Sequence, residues 1–399
     1  MRKMSLTPEL VGWLQSEQAQ PWLHQLTDHP PDDSSLLPTL TRLRKHFTSA
    51  QASALVRTAQ LRKRAFKKFG DQAHEMFFSE KALQQATPSA VAAYTARRYG
   101  DFAWVVDVGC GLGGDALALA AIGRKVLAID LDPLALALLR ANVLALGLTS
   151  NIFPLRADVR RPAWRVSAAW ADPGRRTDRQ RIFHPQALHP PLSEILRLQR
   201  QQMPHLGVKL MPGLRHELIP PQAEAEWISL AGELKEVVLW FGHLRRSVGR
   251  RATVLPAGVS LWAQGAQTHV QLPGNFLYEP DPAVIRAGAV ADLAQRLNLW
   301  QIDSEIAYLS GPALLKTPFA RSWRIIEHFA FDLKQLNRHL RALHARVVAV
   351  KKRSSPIEPE PFRRRLHSAP GGRPVIVVLT RVRNHPWMLI CTEANSSDA

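Results

Sequence analysis

The sequence predicts an α/β protein built on a doubly wound, parallel sheet of seven strands, with a helical region before it and a small α+β module after it. Three observations carry that reading. From residue 74 to about 256, short β-prone runs alternate with helical segments, the pattern of a parallel sheet with crossover helices. Before it, apolar residues recur every three or four positions, as on one face of a helix. After it, hairpin-like and helical stretches mix without that alternation.

Taken in order, residues 1–73 form the helical region, with "TPELVGWLQSEQAQPWLHQL" and "ALVRTAQLRKRAFKKFG" as its amphipathic pieces and "DHPPDDSSLLP" as a loop between them. Residues 74–256 hold seven candidate strands: "FAWVVDV", "KVLAID", "NIFPLR", "SAAWAD", "GVKLMP", "EVVLWFG" and "RATVLP". "DALALAAIG" and "PLALALLRANVLALG" are the early crossover helices. Residues 257–315 read as a connecting α+β region, with a small hairpin in "VSLWAQGAQTHVQLP" and one amphipathic helix in "PAVIRAGAVADLAQRLNL". Residues 316–399 read as a compact module running strand, helix, strand, helix, hairpin.

A chain of 399 residues exceeds one ordinary core and implies two or three domains. It contains no apolar run of the roughly 20 residues that span a bilayer, and its first residues lack the apolar core of a secretory signal. Its two cysteines, Cys110 and Cys391, form neither a metal cluster nor a disulfide framework, and the histidines show no metal spacing. The expectation is a cytoplasmic protein with no membrane and no metal. The net charge of +19, from 52 basic against 33 acidic residues, favours a polyanionic partner, with an arginine-rich solvated surface as the alternative. The basic cluster at Arg62, Lys63, Arg64, Lys67 and Lys68 is open to both readings.

The chemistry concentrates in "VVDVGCGLGGDALALA", Val105 to Ala120, where an apolar strand ends in Asp107 and turns through Gly109, Gly111 and Gly113 into a helix. Glycines permit positive φ and close ligand approach, and the helix start offers unpaired N–H groups. Gly109, Gly111 and Gly114 also satisfy the dinucleotide spacing GxGxxG. Asp107 separates the two readings, because a carboxylate there repels a pyrophosphate and suits the cationic amino-acid end of S-adenosylmethionine. Asp130, closing the next strand, can accept both ribose hydroxyls, and Asp158, after the third, can accept from an adenine amino group. Asp132, just before Pro133, reads as a helix cap.

With these residues the central domain resembles the class I S-adenosylmethionine-dependent methyltransferases. Thr87, Pro88, Val91 and Ala92 match the Thr-Pro-x-x-(Ile/Val)-Ala stretch of trimethylguanosine synthase-type RNA methyltransferases. "DPGRR", "YEPDPAVIRAG" and "VVAVKKR…EPEPFRRRL" together resemble a bacterial methyltransferase family with a C-terminal THUMP-like domain, over nearly all of residues 75 to 395. The resemblance implies a Rossmann-like methyltransferase domain, a THUMP-like or ferredoxin-like C-terminal module, and a link to RNA. It implies cofactor contacts from Asp107, Gly109, Cys110, Gly111 and Gly113, from Asp130 with Leu131, and from Asp158 with Val159.

Asp172 and Pro173 stand at the end of strand four, where amino-group methyltransferases carry Asp/Asn-Pro-Pro-aromatic. That motif orients an amine lone pair toward an already activated methyl and stacks an aromatic on the base. Here Gly174 and Arg175 replace the second proline and the aromatic, which puts methylation of an exocyclic amine in doubt. Phe183, Trp170 or Trp240 could stack instead, although core packing suits the tryptophans. Arg175, Arg176, Arg179 and Arg181 could grip substrate phosphates, or the first two could pair internally with Asp172 or Asp178. Lys209, at the fifth strand end, is expected to border the substrate pocket and to join these arginines in binding substrate or its phosphates. Lys351, Lys352, Arg353 and Arg363 to Arg365 fit either an RNA backbone or solvent.

The leading expectation is a methyltransferase of structured RNA, tRNA or rRNA. Methylation of a protein or small molecule, and an RNA-binding protein that no longer catalyses, stand as alternatives.

Overall fold

The computed structural model describes residues 6–161, 166–175 and 185–394. The chain divides into two compact units, Met1–Glu224 with Glu236–Val248, and Ala225–Lys235 with Gly249–Ala399.

The first unit opens with four helices, α1 (Pro8–Leu14), α2 (Gln20–Asp28), α3 (Leu36–Leu43) and α4 (Ser49–Phe69). A capping box between Thr48 and Gln51 starts α4, and Gly70, at φ 57°, ends it. Its basic residues divide. Lys63 and Lys67 are exposed, whereas Arg62 is buried, donating to the carbonyls of Met76 (3.0 Å) and Glu75 (2.9 Å) and to Thr27 Oγ1 (3.1 Å). Burial holds its guanidinium down to about 10. Arg64 pairs with Glu80 at 2.6 Å, and Lys68 Nζ donates to the carbonyls of Leu83, Gln84 and Ala86. Two short helices follow, α5 (Glu80–Gln85) and α6 (Ser89–Ala96).

Next come β1 (Trp104–Val108), α7 (Gly114–Ala121), β2 (Lys125–Asp130), α8 (Pro133–Ala145), β3 (Ile152–Arg156) and β4 (Ala168–Ala171). Asp132 caps α8, accepting from Leu134 N at 2.9 Å with Pro133 in the first turn, as its sequence position suggests. After the two-residue strands β5 (Gly174–Arg175) and β6 (Leu188–His189), the chain passes through α9 (Leu192–Gln201) into β7 (His205–Leu210). Of the next two strands, most of β8 (Glu224–Leu230) belongs to the second unit and most of β9 (Glu233–Trp240) to the first. The first unit's sheet runs β9-β7-β4-β1-β2-β3. All neighbours are parallel except β7 and β9. The central strands are buried on both faces, which is why they read as continuous apolar runs.

In the second unit, β10 (Gly249–Leu255) turns through Gly258, at φ 69°, into β11 (Val259–Ala263), its antiparallel partner. The hairpin expected within residues 259–273 therefore forms one strand earlier, at the Pro-Ala-Gly turn. The helix expected over residues 282–299 is two helices, α10 (Pro282–Ala287) and α11 (Val290–Leu297), after β12 (Phe276–Pro280). Gly288 separates them in the left-handed region, its N–H donating back to Ile285 O.

The rest comprises β13 (Trp300–Gln301), β14 (Leu309–Gly311), β15 (Ala320–Ala330), α12 (Leu333–Ala342), β16 (Ala345–Lys352), α13 (Pro359–Arg363), β17 (Arg373–Val382) and β18 (His385–Glu393). Its sheet runs β13-β14-β12-β15-β18-β17-β16. Leu336 and Leu340 of α12 and Phe362 of α13 pack with Val375, Val377 and Ile390, while Ile302, Ile306 and Tyr308 pack with Val378 and Leu389. Since side chains alternate along a strand, these are two apolar layers on opposite faces of the sheet.

Candidate active site

The carboxyl ends of β1, β2, β4 and β7 bring Asp107, Asp130, Asp172 and Lys209 to one edge of the first unit's sheet. Ligands of open α/β sheets bind at that edge, where the connections switch direction between β4 and β1. Gly109 N and Cys110 N donate to Ile129 O at 2.8 and 3.1 Å, and Gly111 N donates to Asp130 Oδ2 at 3.0 Å. These bonds fold the glycine loop over the end of β2. Asp130 Oδ1 accepts from Asp132 N at 2.9 Å. Gly109 has φ +77°, and a Cβ there would lie 2.6 Å from the carbonyl oxygen of Asp172. The loop and the β4 corner approach each other as closely as backbone allows.

Asp107 is buried, and neither of its carboxylate oxygens has a hydrogen-bond partner among the described residues. Burial, reinforced by the charges of Asp115, Asp172 and Asp130 and opposed by Lys209, pushes its carboxyl well above the usual range. A buried acceptor pair without donors fits a cationic ligand group such as a primary ammonium.

Asp172 N donates to Val108 O at 2.9 Å, extending the β1–β4 pairing to the corner. Its Oδ2 accepts from Lys209 Nζ at 2.6 Å, and the same ammonium donates to Thr87 Oγ1 at 2.8 Å. Thr87 in turn donates to Asp115 Oδ2 at 3.2 Å, in the first turn of α7. Burial works to lower the Lys209 pKa, but the charges of Asp172, Asp115 and Glu236 outweigh it and hold the ammonium well above the usual lysine range. Pro173 is buried, and Gly174–Arg175 pairs antiparallel with Leu188–His189. The side chain of Arg175, and all of Arg176, Arg179, Arg181 and Phe183, lie outside the described residues.

Asp158, Leu131, Cys110 and Val159 follow the carboxyl ends of β1, β2 and β3. Asp158 is gripped by Arg160, whose Nε and Nη2 reach its oxygens at 3.0 and 2.6 Å, and this pairing holds the carboxyl down to about 2. Leu131 is exposed. Cys110 and Val159 are buried, and burial raises the Cys110 thiol. Trp170 and Trp240 are core residues with ring centroids 5.8 Å apart.

One residue of the site carried no motif. Asn142, fully buried on α8, accepts from Phe77 N at 2.6 Å and donates to Phe77 O (3.2 Å) and Leu112 O (3.0 Å). It ties the segment before α5 to the glycine loop. A buried polar residue within an apolar helix is the one sequence signal that could have found it.

Family models match in three places: "RNA cap guanine-N2 methyltransferase" over residues 102–197, "THUMP domain-like" over residues 320–393, and a domain of unknown function over residues 7–65. Two strains of Mycobacterium tuberculosis, CDC 1551 and H37Rv, each carry a relative named an uncharacterized S-adenosylmethionine-dependent methyltransferase. Each is 35% identical over 342 residues, 83% of this chain and 93% of the relative. The chain belongs to the S-adenosylmethionine-dependent methyltransferases. A crystal structure of a protein described as a methyltransferase, from Porphyromonas gingivalis W83, shares the fold, with TM-score 0.71 at 18% identity over 92% of this chain and 100% of that one. The methyltransferase uses S-adenosylmethionine. Among its described residues, no helix is long and apolar enough to cross a membrane, and no group of metal-ligating side chains occurs.

Proposed function

We propose that this methyltransferase modifies structured RNA, tRNA or rRNA. Bound S-adenosylmethionine supplies an activated methyl group. On this reading the unpartnered Asp107 receives the ligand's ammonium and the loop at Gly109, Cys110, Gly111 and Gly113 offers it close backbone. Asp130, flanked by Leu131, takes the ribose hydroxyls, and Asp158, beside Val159, borders the adenine. Asp172 and Pro173 hold the acceptor at the β4 corner, with Arg175, Arg176 and Arg179 gripping substrate phosphates.

The observation that carries the RNA reading is the basic surface of the THUMP-like module. Lys334, Arg338 and Arg341 are exposed on α12 at helical spacing, and Asn337 of that helix donates to Arg365 O at 3.1 Å. That bond sets the exposed Arg364 and Arg365 beside α12. By contrast Lys351 and Arg353 are engaged by Glu279 at 2.6 and 3.3 Å, and Lys352 by Glu358. A solvent-facing arginine and lysine group with few internal partners suits a phosphate backbone. The match to an RNA guanine-N2 methyltransferase model across β1 to α9 and the net charge of +19 support the same substrate class.

The test is transfer of tritiated methyl to total RNA from a strain lacking the protein, with modified nucleosides compared by mass spectrometry. Incorporation is expected with the native enzyme and its loss with Asp172→Ala. Incorporation into a protein fraction but not RNA would overturn the substrate class. Unchanged incorporation by Asp172→Ala would overturn the catalytic corner.

A further inference from the structure

The Lys209 ammonium sits where a phosphate-binding lysine would be expected, yet its hydrogen bonds run into the protein. It donates to Asp172 Oδ2 at 2.6 Å and to Thr87 Oγ1 at 2.8 Å, and its side chain is 14% exposed. A phosphate reaching it would displace a carboxylate and a hydroxyl and would meet Asp107, Asp115 and Asp172 at close range. The charge around Lys209 is the wrong sign for an anionic ligand.

The connections show what Lys209 does reach. Thr87 ends the segment before α6, Asp115 opens α7, Asp172 closes β4 and Lys209 lies on β7, so four elements meet on one chain of hydrogen bonds. Thr87 is buried, and its hydroxyl accepts from Lys209 while donating to Asp115. That direction is forced, because an ammonium only donates and a carboxylate only accepts. Asp172 Oδ2 is thereby fixed on a cation, and Oδ1 takes no hydrogen bond among the described residues. The carboxylate is 33% exposed, so it can be reached by an acceptor.

We propose that Lys209 and Thr87 are positioning residues for methyl transfer: they clamp one oxygen of Asp172 so that the other is held ready for the N–H or O–H of the acceptor. This rests on the reading of Asp172 as the acceptor-holding residue. It gives the Thr-Pro stretch ahead of β1 a role at the catalytic corner, 122 residues from Lys209 in sequence. Without the clamp the carboxylate can rotate, and the aligned geometry is visited only part of the time.

The experiment measures kcat and KM for total RNA from the strain lacking the protein, S-adenosylmethionine affinity by calorimetry, and thermal unfolding. The variants are Thr87→Val, Thr87→Ser, Lys209→Met and Asp172→Ala. Thr87→Val is expected to lower kcat about tenfold, the loss of one hydrogen bond to a charged group. Its KM and cofactor affinity should stay within about twofold, since no ligand contact is removed. Thr87→Ser should restore kcat, because it returns the hydroxyl. Lys209→Met is expected to lower kcat about a hundredfold, and to add nothing further in the Asp172→Ala background. A rise in KM for RNA with kcat unchanged, in either Thr87→Val or Lys209→Met, would mark a substrate-phosphate contact and overturn the proposal. So would full additivity of Lys209→Met with Asp172→Ala. If Lys209→Met fails to fold, the two Thr87 variants decide. If Asp172→Ala leaves kcat intact while Thr87→Val lowers it, the reading of Asp172 fails and the clamp as stated fails with it. If Asp172→Ala abolishes transfer while Thr87→Val leaves kcat unchanged, the clamp alone fails.

Discussion

Gly109→Ala probes the closest backbone approach in the active site. The residue has φ +77°, a conformation that costs a non-glycine residue about 1–2 kcal/mol. The added Cβ would lie 2.6 Å from the Asp172 carbonyl oxygen, against ordinary contact from 3.4 Å, so loop and corner must part by about 0.8 Å. Both are backbone, and no side chain can rotate to relieve the clash. Overpacking of this kind costs about 1–3 kcal/mol, for a total of about 2–5 kcal/mol. Gly111→Ala is the internal control. Gly111 has φ +55° with nothing within 4 Å of its would-be Cβ, so it incurs only the conformational cost of about 1–2 kcal/mol. The excess for Gly109→Ala is thus about 1–3 kcal/mol, and in a unit of this size each kcal/mol lowers the melting temperature by about 2–4 °C. Displacing Asp172 by most of an ångström should also cost turnover about a hundredfold. Melting curves, calorimetric cofactor affinity and tritiated methyl transfer, run on both variants, read all three quantities. Equal losses of stability in the two variants would refute the steric reasoning, as would a Gly109→Ala enzyme within about threefold of native kcat.

Asp107→Asn removes a buried carboxyl whose titration penalises folding near neutral pH, so the ligand-free protein should melt higher there. Cofactor affinity should fall about ten- to hundredfold by calorimetry, for loss of a charge-assisted hydrogen bond. The pH dependence of the native protein has a definite sign. The folded state holds the Asp107 proton to higher pH than the unfolded chain, so this group penalises folding progressively as pH rises from its ordinary value of 3.8 through the raised native value, and contributes nothing below both. Binding of an ammonium beside Asp107 should therefore release a proton. Calorimetry in buffers of different ionisation enthalpy would detect the release, and Asp107→Asn should abolish it. Asn142→Leu leaves Phe77 N, Phe77 O and Leu112 O without their partner, and should lower unfolding free energy by at least about 2 kcal/mol in denaturant titrations.

Much of this site is legible along the chain because parallel strands bury both faces. Apolar runs such as "VVDV" and "KVLAID" mark where each strand stops, and the carboxylates at those stops follow one another in chain order. What spacing cannot convey is which way a strand-end side chain turns and what meets it. Lys209 could be placed at a strand end, but its bond to Thr87 joins residues 122 apart in the chain. Arg62 sat in a run of basic residues open to reading as a solvated face or a nucleic-acid contact, and only the return of the chain at Glu75 and Met76 buries it. The helix of residues 282–299 divided because one glycine could take a left-handed turn that a periodicity argument does not weigh.

The Asn142 contact has a consequence for how this protein can vary. Asn142 reads the peptide groups of Phe77 and is indifferent to the side chain, so exchanging Phe77 for another apolar residue would disturb its packing under Arg62 but leave all three hydrogen bonds available. Adding or deleting one residue between Gly70 and Phe77 would instead offer Asn142 the wrong peptide and loosen the glycine loop from behind. The segment should therefore tolerate spelling changes and resist changes of length, a constraint on insertions located well outside the stretch that carries the catalytic motifs.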